Sequence, residues 1–119
     1  MGGLLLMLLL VTLPALAADL PSLPKPKGEA CIAANDVMRR DHPDMLKHQR
    51  DDTMRLGIRG GKASLKDCVA CHSTADTAGK PVPINAEGQF CQSCHAYAAV
   101  KPDCFECHAT TPTVKEASR

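Results

Sequence analysis

Six of the seven cysteines in this 119-residue chain belong to one short motif, written three times. Cys68-Val69-Ala70-Cys71-His72 is the first copy, Cys91-Gln92-Ser93-Cys94-His95 the second, and Cys104-Phe105-Glu106-Cys107-His108 the third. Each reads C-x-x-C-H. Two thiols at this spacing can form thioethers with the two vinyl groups of one haem, and the adjacent histidine then offers its imidazole to the iron as proximal ligand. The pattern predicts three covalently attached haem c groups. Cys68, Cys71, Cys91, Cys94, Cys104 and Cys107 are the attachment residues, and His72, His95 and His108 ligate the irons.

Other chemistries use paired cysteines. A zinc ribbon has no need of histidine directly after each pair. A dithiol oxidoreductase carries one such motif on a larger α/β domain, and no strand–helix alternation is visible here. Three disulfides would leave the three in-step histidines as coincidence. Three copies within 41 residues favour haem over all of these.

Three irons call for three distal ligands unless a site is open. The chain has five histidines, and three are proximal. His42 and His48 remain, one too few for three bis-histidine haems. At least one iron must therefore take another ligand or stay open. The candidates precede the first motif: Cys31, Met38, Met45 and Met54. A lone methionine on a helix more often packs than ligates, but the ligand count raises Met38 in particular. His48 lies among Lys47, Gln49 and Arg50 and reads as a solvated residue, so His42 is the better imidazole. Cys31 is the unpaired thiol; on iron, a thiolate would donate electron density and favour the ferric state.

The elements that must position these residues are short. Residues 33–56 favour helix, and Gly57 marks a C-terminal stop. Met38 and His42, four apart, would share a face. Pro43 disfavours α conformation at His42 and removes a backbone donor. Asp41 can cap a new helix there, giving two short helices joined at a bend. Residues 73–90 contain Gly79, Pro81, Pro83 and Gly88 and read as irregular loop. Only residues 96–103 separate the second motif from the third, so those haems should be neighbours. Ala96–Val100 is expected to form about two helical turns before Pro102.

Between residues 37 and 66 eight Lys and Arg face four Asp. Such a stretch reads first as a solvated helix face. Some of its arginines could also pair with haem propionates, which suit the planar guanidinium.

Residues 1–17 read as an export signal or a retained membrane anchor. Their apolar run is shorter than the roughly 20 residues a spanning helix needs, and Pro14 followed by Ala15-Leu16-Ala17 suits cleavage before Ala18. Residues 18–30, with Pro21, Pro24 and Pro26, form a semi-rigid spacer. Residues 31–119 are the triheme domain, which this reading places outside the cytoplasm.

Composition agrees. Phe90, Tyr97 and Phe105 are the only aromatic residues, and there is no Trp. An ordinary self-packed core is improbable at this size. The near balance of 14 Lys and Arg against 13 Asp and Glu argues against nucleic-acid binding. The expected fold is mainly α with much irregular loop: a small multihaem cytochrome c wrapped around three covalent haems, with an N-terminal apolar signal or anchor helix.

Two stretches resemble a known family. The order Cys31, Met38-Arg39-Arg40, His42, Leu46-Lys47-His48-Gln49-Arg50, Gly57-Ile58-Arg59, Ser64-Leu65-Lys66-Asp67-Cys68 is similar to the DsrJ family. So is Gln89-Phe90-Cys91-Gln92-Ser93-Cys94-His95-Ala96-Tyr97-Ala98-Ala99-Val100-Lys101. DsrJ proteins are the triheme cytochrome c subunits of the transmembrane DsrMKJOP complex of dissimilatory sulfur metabolism. The resemblance spans residues 31 to about 110. It implies a periplasmic electron-transfer subunit that works with quinone-interacting and iron–sulfur subunits. It also implies mixed ligation, His/His, His/Met and His/Cys, which falls here on His42, Met38 and Cys31. The family's N-terminal segment can serve as an anchor.

Electron relay, without catalysis by the chain itself, is the leading functional reading. The competing reading is sulfur-compound chemistry at a Cys31-ligated haem. A haem-based sensor would want a signalling domain, for which this chain has no room.

Overall fold

The computed structural model describes residues 19–113. These are helical and irregular, with no strand among them; one isolated antiparallel bridge joins Ala75 to Pro81. Helix α1 spans Asn35–Leu56, α2 spans Leu65–His72 and α3 spans Phe90–Tyr97, followed by a 3₁₀ turn at Cys104–Glu106. The mainly helical, loop-rich expectation therefore holds for this part of the chain. The apolar segment 1–17 lies outside the described residues. Among those described, no helix is long and apolar enough to cross a membrane.

Helix α1 stops where the sequence says. Gly57 adopts the left-handed conformation (φ 70°), and its N–H reaches back to the Thr53 carbonyl at 3.2 Å. The N–H of Ile58 meets the Asp52 carbonyl at 3.2 Å, and the Thr53 hydroxyl donates to the Ile58 carbonyl at 2.9 Å. Leftover helical carbonyls are thus satisfied, as a glycine stop requires.

Pro43 does not divide the helix. Instead of two helices joined at a bend, 22 residues run through in one piece. Proline cannot donate to the Arg39 carbonyl four residues back. Both Pro43 and Arg39 are exposed, so water can satisfy the carbonyl that proline leaves free. The opposite side carries the half-buried stripe Met38, His42, Met45 and Gln49, at spacings of four, three and four.

Helix α2 is started by Ser64, whose hydroxyl accepts the Asp67 N–H at 3.4 Å. Helix α3 lies earlier than the expected run at 96–100, because the second motif itself forms the helix. The chain leaves it at Ala99, a non-glycine residue at φ 53°. There the N–H of Val100 bonds the His95 carbonyl at 2.9 Å.

Between α2 and α3 the chain is the irregular loop that its glycines and prolines predict. The Asp76 carboxylate accepts N–H groups from Ala78 and Lys80, closing a tight turn. Thr74 and Gln89 tie the loop's two ends by a side-chain bond of 2.6 Å. Ile84, wholly buried, is pinned by its N–H to the Thr110 carbonyl at 2.9 Å.

The helices make only scattered contacts with one another. Val69, Ser73, Ile84 and Pro112 are the buried residues among those described. That is a very thin core for a domain of this length, which must draw stability from elsewhere.

Candidate functional site

Each C-x-x-C-H motif lies on a helical turn. The first occupies the end of α2, the second the middle of α3. The third is wound by the 3₁₀ turn and continued by the His108 N–H, which meets the Cys104 carbonyl at 3.0 Å. Positions i, i+3 and i+4 of a helical turn lie on one face. Both thiols and the imidazole of each motif are therefore presented together, as covalent attachment and ligation of one haem require.

All seven cysteines are free thiols; Cys31 and Cys107 are exposed and the others half-buried. The leading cysteines of the three motifs lie within electrostatic reach of one another. Burial raises the Cys91 pKa to about 11, and neighbouring Cys68, Cys104 and Cys94 add to the shift. Burial also raises that of Cys68, with Cys31 the next contributor. Cys91 is thus near enough to Cys68 and Cys104, and Cys68 to Cys31, for their charges to interact. No group of three or more His, Cys, Asp or Glu side chains among the described residues is gathered as a metal site.

The histidines differ in setting. His72 stacks on Phe90, centroids 3.7 Å apart and planes 27° from parallel. His95 faces His42, centroids 5.9 Å apart at 49°. Burial lowers the pKa of both His72 and His95, and in His95 the nearby His42 adds to it. The shift favours the neutral ring, the form that binds a metal. Their Nδ1 atoms are buried without a hydrogen-bond partner. His108 is exposed.

His42 is half-buried on the inner stripe of α1, and its Nδ1 lies 2.6 Å from the Met38 carbonyl. A carbonyl only accepts, so Nδ1 carries the proton and Nε2 keeps its lone pair free. A bond of this kind would fix the ring's orientation if Nε2 bound a metal. A metal–imidazole bond of about 2 Å on each side, plus the two ring radii, places such centroids roughly 6 Å apart. The observed His42–His95 separation fits an iron held between the two rings.

The other expected ligands are placed less tightly. Met38 is half-buried on the same stripe, one turn before His42. Cys31 is exposed, just beyond the bend at residues 27–30. His48 is exposed, as its polar neighbours predict, and Met54 is 79 % exposed. Met45, also among the candidates, shares the half-buried stripe of residues 38, 42, 45 and 49. Phe90 was read only as an aromatic residue, and nothing local marks it as a platform for His72.

An open cleft of about 400 Å³ lies between the second and third motifs, lined by Cys91, His95, Ala96, Val100, Pro102 and Phe105 among others. Its size suits a cofactor site. The charged side of α1 is mostly internally paired: Arg40 with Asp41, Lys47 with Asp44, and Arg50 with Asp51. Asp44 and Asp51 are accordingly held below the ordinary carboxylate range by Lys47 and Arg50.

No protein-family model matches the chain, and no solved structure does. Among characterised proteins it is similar to the Hdr-like menaquinol oxidoreductase cytochrome c subunit of Archaeoglobus fulgidus. The two are 29 % identical over 108 residues, covering 81 % of this chain and 66 % of that protein. The chain thus spans just under two thirds of its relative's length. The relative's name describes a cytochrome c subunit, in keeping with the C-x-x-C-H turns, and does not specify DsrJ.

Proposed function

We propose that this chain is a triheme cytochrome c that relays electrons outside the cytoplasmic membrane, as a subunit of a membrane redox complex. The observation that carries the reading is the threefold C-x-x-C-H helical turn, each with two thiols and an imidazole on one face. The named role of the Archaeoglobus relative supports the class. Quinone-interacting and iron–sulfur subunits are its partners in this reading, and the DsrJ resemblance supports a role in dissimilatory sulfur metabolism. Residues 1–17 direct export or anchor the chain.

When bound, each haem supplies a one-electron iron couple. The chain's own residues do the rest. Cys68, Cys71, Cys91, Cys94, Cys104 and Cys107 hold the macrocycles, and His72, His95 and His108 take the proximal positions. His42, oriented by the Met38 carbonyl, stands opposite His95. The Met38 thioether and the Cys31 thiolate provide the two remaining distal ligands. The cleft shared by the second and third motifs supports a short electron step between their haems.

The test is spectroscopic. Intact mass and peptide mapping of the mature protein should find three covalent haems, one on each motif. EPR of the oxidised protein should show a thiolate-type low-spin signal that Cys31→Ser abolishes. A chain bearing no covalent haem would overturn the proposal. Identical spectra from wild type and variant would remove Cys31 from the ligand set. Sulfur chemistry at that residue would then lead. The exposure of the Cys31 thiol is what favours this second reading.

A further inference from the structure

The spacer expected at residues 18–30 does not hang free at its end. The Lys27 N–H donates to the Cys71 carbonyl at 2.9 Å, and the Lys27 ammonium donates to the Ser73 hydroxyl at 3.4 Å. Ser73 closes α2 and is only 4 % exposed. These bonds tie residue 27 to both sides of His72. At the next residue the chain passes against the first motif's second sulfur. A Cβ on Gly28 would sit 3.3 Å from Cys71 Sγ, with the Ala30 carbonyl at 3.9 Å. That is tighter than ordinary carbon–sulfur contact. A side chain here would press on Cys71 Sγ, one of the two sulfurs that must turn toward a vinyl carbon, and that sulfur would have to give by a few tenths of an ångström. Three residues on stands Cys31, close enough to Cys68 for the two thiols to interact electrostatically.

We propose that Lys27 and Gly28 are positioning residues for the first haem. They strap the spacer across Cys71 and Ser73 and so hold Cys31 at the first motif, where its thiolate would serve that haem and not the second or third. The inference rests on the cytochrome reading. The second motif agrees with it, because His95 already faces His42.

The test compares the full mature protein with Gly28→Ala, Gly28→Val and Ala30→Val. Ala30 is exposed, so its variant controls for added bulk on the spacer. Haem occupancy is read motif by motif from peptide masses, and the thiolate-type EPR signal is read on the same samples. Gly28→Val should lose that signal, or at least half of it, and lower occupancy at the first motif alone. Gly28→Ala should fall between, and Ala30→Val should match wild type. Three full haems with an unchanged thiolate signal in Gly28→Val would overturn the strap while leaving the cytochrome reading intact. Loss spread over all three motifs would also overturn it, since Gly28 would then act on the fold and not on one site. A wild-type chain without haem would overturn both.

Discussion

The imidazole rings of His42 and His95 face each other across 5.9 Å, with their planes inclined at 49°. One ring comes from the middle of the long helix α1, the other from the C-x-x-C-H turn within α3. The Nδ1–H of His42 is spent on the Met38 carbonyl at 2.6 Å, which leaves its other nitrogen for the facing site. A fixed tautomer and this spacing are what a metal centre shared between the two rings would use.

His42→Ala should therefore change one haem and spare two. About one third of the low-spin signal should convert to high spin, and that haem should bind carbon monoxide when reduced. Added imidazole should restore the low-spin state by filling the space the side chain leaves. Peptide mapping can identify the haem through its motif. A His42→Ala protein with an unchanged low-spin spectrum would remove His42 from the iron.

Acid should destabilise the protein earlier than its carboxylates alone would dictate. Burial lowers the pKa of His72 and His95 below the ordinary 6.5. As pH falls past that value, the unfolded chain takes up protons at these positions before the folded chain does. The stabilisation is complete above 6.5 and is lost as pH falls through the depressed folded pKa. Iron coordination, which also requires neutral imidazole, acts in the same sense. Denaturation followed by the Soret band at stepwise lower pH measures this. Stability that rose on acidification through this window would contradict it.

Gly57→Ala should cost about 1 kcal/mol, because alanine resists the left-handed conformation that ends α1. Space is not the issue: nothing lies within 4 Å of where the new methyl would sit, and φ is 70°. Thermal unfolding should show a lower midpoint while the haem spectra stay as in wild type. An unchanged midpoint would mean that the end of α1 is not held in the folded state.

The motifs were legible because covalent haem chemistry fixes residue type and spacing together, leaving little for tertiary context to decide. The end of α1 was legible because a left-handed stop favours glycine. The continuity of α1 through Pro43 was not. It depends on which side of the helix faces water, a property of the packed state that a local rule does not contain. The same holds for Phe90 under His72 and for Lys27 against Cys71, each a contact between segments far apart in sequence. The expected turns after His95 were misplaced because propensity pointed to the alanines, while the helix is the motif itself, ending at Tyr97.

The thin core leads to the most severe prediction. Val69 and Ile84 are the buried aliphatic side chains among the described residues. Each contributes about 1.5–3 kcal/mol, whereas ordering the backbone costs roughly 1–2 kcal/mol for every residue. Two such side chains cannot offset that cost. Scattered contacts between helices add little, and the surface ion pairs of α1 are exposed to solvent. The missing apolar area is what three macrocycles would supply, one against each motif. Replacing Cys91 and Cys94 together by alanine removes the covalent hold on the middle haem. That variant should lose helical ellipticity well beyond the eight residues of α3, and trypsin should then cut within α1 at Arg39, Arg50 and Arg55. The reason is that His42 of α1 lies against His95 of the second motif, at the site this variant would empty. A double variant that kept full ellipticity and protease resistance would show a polypeptide able to fold on its own, and would end the view of the haems as the core.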